Sequence, residues 1–400
     1  MPAMRRRTLL AALPLMSAAP MVRTASASDL LGDDAMDGFD RRIDREFEAF
    51  DQELDARFAA MDRAIRNGFQ EIEQDLRRTW GDAAKLPSPK SWVGYSKDRE
   101  QRVIVDYEAG TVTLERQGET DRRRLDRALR QALQANSAEL DERDVVGKHV
   151  DEQARQAGKS AVAAPEDDGN MGQKTDEDAE LGRLVGEDPE RDYDTDTLVD
   201  ADGEKKQVGR VTIPMLPSHT RLSAERVAPV ARRFADTYDV DLAIVLAIIK
   251  NESAFNPRAQ SHVPAFGLMQ LVPSSGGRDA YAFVEGKQRA PSPELLFQPN
   301  RNVELGTAYF HLLMFRYLKA VRDRTAREYC AIAAYNTGAG NVARAFGHAT
   351  NVDAAAREIN GISPQTVYRR LRRDLPYAET KTYLKRVVED REDYRDFGRG

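Results

Sequence analysis

Cysteine is almost absent: Cys330 stands alone in 400 residues. One thiol forms no internal disulfide and supplies no multi-cysteine zinc cluster. It lies in the apolar run Tyr329-Cys330-Ala331-Ile332, where a small buried hydrophobe is expected rather than a nucleophile. Histidine is scarce, and His219, His262, His311 and His348 show no ligand spacing such as H-x₃-H. No metal and no cofactor is expected. Glycine forms no phosphate-cradling loop, because Gly338-Ala339-Gly340 lacks a preceding strand and the later glycine. Past the N-terminus no run of about 18 apolar residues occurs, so no later segment is expected to span a bilayer. Positive charge is in deficit: the formal net charge is −6, which argues against a general nucleic-acid binder. Hydrophobic residues make up only 41% and charged residues 32%, so part of the chain is expected to carry no core.

The first segment reads as an export signal over 1–27. Arg5, Arg6 and Arg7 precede a short apolar stretch from Thr8 to Ala19, and Ala25-Ser26-Ala27 is a small-residue cleavage pattern. Arg6-Arg7-Thr8-Leu9-Leu10 hints at a twin-arginine signal. No cysteine lies near the cleavage site, so no lipid anchor is expected, and export without disulfides fits the periplasm. Residues 28–84 are expected to form a long amphipathic helix. Phe39, Ile43, Phe47, Phe50, Leu54, Phe58, Met61, Ile65, Phe69, Ile72 and Leu76 repeat with 4-4-3 spacing, an 11-residue period typical of a slightly right-handed supercoil. Acids outnumber arginines on its polar face, the opposite of a membrane-surface helix. Two readings stay open: self-association through 39–76, or one helix packed on its own domain.

Residues 85–150 are expected to form a small α+β domain. Arg102–Tyr107 and Thr111–Glu115 alternate in polarity around a Glu108-Ala109-Gly110 turn, and a helix should follow from Asp121 to Gln134. Residues 151–207, rich in acids and poor in large apolar residues, read as a loose linker. From 208 to 400 the chain is mainly α, with Val211–Met215 as an extended entry and helices near 223–237, 242–252, 300–321, 326–335, 339–346, 364–373 and 377–391.

The helix Leu242–Ile249 is apolar nearly all round, so it should be buried, with Asp241 as its cap. Glu252 ends its apolar stripe, near the negative end of the helix dipole. Both effects disfavour the carboxylate and raise its pKa, which suits a general acid. A surface glutamate at a helix end would be the ordinary reading, but the flanking residues weigh against it. They read Glu252-Ser253-Ala254-Phe255-Asn256-Pro257, then Ser261, Ala265-Phe266-Gly267-Leu268-Met269-Gln270, Ala334-Tyr335-Asn336-Thr337-Gly338 and Glu379-Thr380-Lys381-Thr382-Tyr383.

These four blocks, in this order, resemble the soluble-lytic-transglycosylase family of the lysozyme-like superfamily. Val211–His219, Pro264–Gly267, Trp80-Gly81, Ser88-Pro89-Lys90 and Val103–Glu108 resemble one branch of it, the membrane-bound lytic murein transglycosylases C. That branch normally carries a lipid-attached cysteine after its signal, which this chain lacks, and the long 11-residue-repeat helix is not a feature associated with it. The resemblance implies a mainly α, lysozyme-like (goose-type) catalytic domain behind the small α+β domain. It implies cleavage of peptidoglycan glycan strands with a 1,6-anhydromuramic product, with Glu252 as the single acid and base. No other acid lies between Ser253 and Arg278, so the local sequence offers no carboxylate pair of the kind a two-carboxylate hydrolase needs. By the same resemblance Ser261, Phe266, Met269, Gln270, Tyr335, Asn336, Glu379 and Tyr383 bind substrate, and Tyr309 could offer a ring face to a sugar. A goose-type muramidase and a non-catalytic wall-binding scaffold are the alternatives. The basic run Arg369-Arg370-Leu371-Arg372-Arg373 could attract the anionic stem peptides of the wall, although a solvated helix face explains it as well.

Overall fold

From residue 59 the 4-4-3 stripe is a helix, α1 (59–80), and its apolar positions Met61, Ile65, Phe69, Ile72 and Leu76 are all buried. The structure is a computed structural model that describes residues 56, 59–158, 162–163, 179–261 and 264–399. The expected signal over 1–27, the stripe from Phe39 to Phe58, His262 and residues 164–178 of the expected linker lie outside the described residues. Within α1 the stripe packs on its own chain. Glu71 accepts from Gln153 (3.1 Å) and meets His149 (3.2 Å), while Asp62 accepts a hydrogen bond from Ser274 Oγ at 2.7 Å. The Met61–Leu76 half of the repeat therefore has no apolar face left for a second copy.

The small domain is a five-stranded antiparallel sheet of β1 (Ser91–Tyr95), β2 (Gln101–Asp106), β3 (Thr111–Gln117), β4 (Asp192–Val199) and β5 (Lys205–Pro214), in the order β1-β2-β3-β5-β4. The expected hairpin is β2–β3, with Val105 opposite Val112. Asp106 Oδ1 accepts from the backbone N–H groups of Glu108 and Ala109, and Gly110 takes φ +68°, a left-handed turn that costs a glycine little. Alternation puts Val103, Val105, Val112, Leu114, Val211 and Ile213 on one buried face. Against it lie Leu125, Ala128, Leu129 and Ala132 of α2 (Arg122–Gln134), the expected helix, which Asp121 caps. On the other face Arg102 and Glu115 form a buried ion pair, with the Arg102 guanidinium 3.8 Å above the Trp80 ring. The short helices α3 (Ser137–Arg143) and α4 (Val145–Gly158) complete the domain.

The expected linker over 151–207 is corrected here. Its first residues continue α4, and its last ones form β4 and the start of β5. The sheet thus reaches Pro214, beyond the boundary expected at 208. β4 reads Asp-Tyr-Asp-Thr-Asp-Thr-Leu-Val and is an edge strand exposed at most positions. It is held by backbone pairing to β5 rather than by burial, so hydropathy gives it no signal.

The remainder is mainly α, as expected: α5 (His219–Thr237), α6 (Leu242–Ser253), α7 (Arg278–Glu285), α8 (Pro293–Leu296), α9 (Pro299–Leu312), α10 (Arg324–Thr337), α11 (Ala339–Ala345), α12 (Val352–Ile359), α13 (Pro364–Asp374) and α14 (Ala378–Asp390). α6 is the central helix. Every residue from Leu242 to Ile249 is buried, and Asp241 Oδ1 accepts from Ala243 N at 2.8 Å. α5, α14 and the C-terminal turn Arg391–Arg399 pack around it. Cys330 is buried in the same core, and burial pushes its thiol up to about 12. Among the described residues no helix is long and apolar enough to cross a membrane.

Candidate active site

Glu252 sits on the last turn of α6, and the chain turns sharply just after it. Ala254 (φ +50°) and Phe255 (φ +65°) are both left-handed, a conformation that costs an L residue roughly 1–2 kcal/mol. Packing holds the strain. Phe255 is fully buried with its ring edge-on to Tyr394 at 6.0 Å, and the Ser253 hydroxyl reaches the carbonyls of Ile249 (3.0 Å) and Leu268 (2.8 Å). The second of these contacts ties the helix end to the Phe266–Leu271 loop.

That loop is fixed from below by buried Asn302. Its amide donates to the carbonyls of Phe266 and Leu296, both at 2.8 Å, and its Oδ1 accepts from Met269 N at 2.7 Å. Gly267 (φ +74°) passes so close that a Cβ would lie 2.3 Å from Asn302 Nδ2, so only glycine fits. From above, the Tyr335 hydroxyl donates to Met269 O at 2.9 Å. Its ring lies on Tyr309 (5.5 Å between centroids), and burial beside Glu252 lifts its pKa far above the usual range.

Glu252 opens onto a groove of about 610 Å³, lined also by Asn251, Asn336, Ala378, Glu379, Thr382, Tyr383 and Arg386 on one side and by Ser88, Pro89, Lys90 and Glu108 on the other. Burial pushes the Glu252 carboxyl up to about 7. The Tyr383 hydroxyl pulls it back, the Glu379 charge pushes it further up, and the Lys90 ammonium lowers it. Burial thus acts in the direction expected from the apolar stripe. The Tyr383 hydroxyl is buried without a hydrogen bond of regular geometry. Asn336 Oδ1 accepts from Thr380 Oγ1 at 2.7 Å.

Of the expected site residues, Glu252, Asn336, Glu379 and Tyr383 meet in the groove. Tyr335 stands behind Glu252, linked to it by charge. The other four do not line it. Phe266 is fully buried, edge-on to Phe297 at 5.4 Å, so it is a core residue and not a sugar platform. Met269 is fully buried on Gly306 and enters the site only through its backbone. Gln270 is spent within its own turn, its Nε2 donating to Gly267 O at 3.1 Å. The backbone N–H of Ser261 donates to Ala265 O at 3.2 Å, closing a turn. Tyr309 packs on Tyr335 and likewise does not line the groove.

The second wall was missed from sequence. Lys90 and Glu108 form an ion pair within it, and this wall is bolted to the Glu252 loop. Buried Asn256 donates to Pro89 O at 3.2 Å and accepts from Arg258 N at 3.0 Å. Arg258, also buried, donates to Asp141 (2.9 Å), Glu180 (2.9 Å) and Ser137 (3.0 Å) and lies 5.8 Å from the Trp92 ring centre. The groove also holds two carboxylates besides Glu252, which corrects the picture of an isolated acid: Glu108, neutralised by Lys90, and Glu379, exposed on α14. The asparagine and arginine of Asn256-Pro257-Arg258 were the available signal, since an arginine without a local acid near a buried motif needs a distant partner. Among the described residues no group of three His, Cys, Asp or Glu is placed to hold a metal ion.

Comparison with known proteins agrees with this layout. Residues 229–357 match the transglycosylase SLT domain, and residues 58–148 match the N-terminal domain of membrane-bound lytic murein transglycosylase C. The membrane-bound lytic murein transglycosylase C of Klebsiella pneumoniae subsp. pneumoniae is 32% identical over 335 residues, covering 82% of this chain and 90% of that protein. The one from Sodalis glossinidius is 32% identical over 354 residues, with the same coverage. Among solved structures, the 70 kDa soluble lytic transglycosylase of Escherichia coli is 24% identical, with a TM-score of 0.33 over 42% of this chain and 24% of its own. The lysozyme-like fold class expected for the catalytic half stands on the SLT match. The chain belongs to the membrane-bound lytic murein transglycosylase C family.

Proposed function

We propose that the protein is a peptidoglycan lytic transglycosylase that cuts the MurNAc-β-1,4-GlcNAc bond, with Glu252 as acid and then base. One observation carries this reading: a carboxyl held near pKa 7 by burial, at the side of a groove of about 610 Å³. A pKa near the working pH suits a group that must both give and take a proton. In the proposed reaction the Glu252 proton moves to the glycosidic oxygen as the C1–O bond breaks. The muramic N-acetyl group stabilises the positive carbon. The carboxylate then takes the proton of the same sugar's C6 hydroxyl, and O6 closes on C1. No water is consumed, Glu252 ends protonated as it began, and the nucleophile is already attached to the substrate.

The surrounding groups support this cycle. Burial, aided by repulsion from Glu379, favours the protonated form of Glu252, and the Tyr383 hydroxyl and Lys90 favour it when charged. Thr380 occupies the Asn336 carbonyl, which orients the Asn336 NH₂ group as a donor for a sugar acetamide. Glu108 is held by Lys90 and takes no part as a base. Glu379 favours a second reading, because an exposed carboxylate in the same groove could activate water and make the protein a muramidase. Mass analysis of digested wall sacculi separates the two. Anhydromuramic ends are expected; ends one water heavier as the main product would establish the hydrolase.

The working compartment in this reading is the periplasm, reached through the 1–27 signal. Self-association, where it occurs, is assigned to the Phe39–Phe58 part of the repeat, since the later part is buried in its own chain.

A further inference from the structure

The basic run on α13 is divided between two tasks. Arg370 is structural: it pairs with Glu358 and lies over the Phe346 ring at 4.7 Å. Arg369, Arg372 and Arg373, spaced i, i+3 and i+4, share another face. With Tyr368 and with Lys385 of α14 they line an open surface depression of about 370 Å³. Four cations and no acid line it, in a chain whose net charge is −6. Arg373 pairs with Asp374 (2.7 Å) and Lys385 with Glu389 (3.7 Å), but among the described residues no acid pairs with Arg369 or Arg372. The Arg372 Nε and Nη1 atoms are buried from solvent without a hydrogen-bond acceptor. Buried N–H donors left without acceptors are unfavourable, and a planar carboxylate offers two oxygens in the geometry a guanidinium fork needs.

The depression and the catalytic groove both draw on helix α14. Lys385 is next in sequence to Arg386, which lines the groove, and one turn beyond groove residue Thr382. At ~1.5 Å rise per residue the step along α14 is only about 4.5 Å, whereas an extended four-residue peptide reaches roughly 13 Å. From this geometry we infer that the Arg369/Arg372/Arg373/Lys385 depression is a carboxylate-binding subsite that takes the stem peptide of a strand lying in the Glu252 groove. The inference rests on the proposed glycan substrate. It adds that this flank of the enzyme distinguishes peptide-bearing strands from bare ones.

The test uses the full chain with Arg369→Gln and Arg372→Gln combined, and separately with Arg373→Gln and Lys385→Gln combined. The second pair alters only exposed ends and guards against a folding defect in the first; melting curves are recorded for both. Activity is measured on wall strands with and without their stem peptides. Binding of a free stem tetrapeptide is followed by NMR shifts of the arginine Nε–H signals. The subsite requires KM on peptide-bearing strands to rise roughly tenfold, with kcat within about twofold and bare strands unaffected. It also requires the free peptide to shift the arginine signals of the unmutated protein. Equal KM changes on both substrates, or no change on peptide-bearing strands in either folded variant, overturns it. So does loss of binding to anionic phospholipid vesicles with KM unaltered, which would assign the patch to lipid headgroups. If the unmutated protein cuts neither substrate, the functional reading fails, and the peptide-binding arm still decides the subsite on its own.

Discussion

The two walls of the Glu252 groove are built on different terms. The Glu252 wall, on α6, α10 and α14, concentrates strain and shifted acidity: two successive left-handed residues, a carboxyl pushed up to about 7 and a buried tyrosine hydroxyl set against that carboxyl. The sheet wall is electrostatically settled, with Lys90 and Glu108 paired to each other. In the proposed reaction one wall holds the means of moving a proton, and the other shapes and charges the space in which it moves. The buried contacts of Asn256 and Arg258 connect them, so the loop that follows the acid also fixes the opposite wall.

Replacing Glu252 strikes the first wall hardest. Glu252→Gln is nearly isosteric and should keep the fold while lowering kcat by about 10²–10⁴; sacculus turnover by the folded variant checks this. The same variant should melt higher above neutral pH. A carboxyl whose pKa is raised by folding weakens the fold as pH climbs from its ordinary 4.5 through about 7. The relief is at most about 3 kcal/mol at 1.36 kcal/mol per unit, less what groove solvent screens, and it vanishes below pH 4.5.

Breaking the connection comes next. Arg258→Ala leaves Asp141 and Glu180 without their buried cation, a loss of about 3 kcal/mol. Thermal melting should fall by roughly 5–10 °C, and KM should rise more than kcat falls, because the sheet wall loosens while Glu252 keeps its own surroundings. An unchanged KM would uncouple the walls. The smallest effect belongs to Lys90→Gln. It removes a charge that lowers the Glu252 pKa and frees Glu108 to raise it, so the alkaline limb of the pH–rate profile should move to higher pH. A limb that stays put would leave the sheet wall with shape alone.

The comparison also explains what could be read from sequence. The α6 stripe, its Asp241 cap, the β2–β3 hairpin and the helix ending at Gln134 are local patterns, and all four are found where expected. Glu252, Asn336, Glu379 and Tyr383 come together because each ends or faces a helix whose periodicity is plain. β4 escaped notice because an exposed edge strand has no hydropathy signal. Phe266 and Met269 were misplaced because a short motif does not say whether a side chain points into a groove or the core; three hydrogen bonds from Asn302 decide that. Lys90 and Glu108 lie more than 140 residues before Glu252 in the chain, a juxtaposition only the folded chain makes.

The central claim is that the carboxyl at position 252 is about half protonated at neutrality. Carbon-detected NMR titration of the labelled glutamate carboxyls, with Glu252→Gln assigning the signal, measures this in the intact protein. A midpoint near 7 is expected. A midpoint at or below the ordinary 4.5 would leave no acid in the groove at working pH and contradict the account.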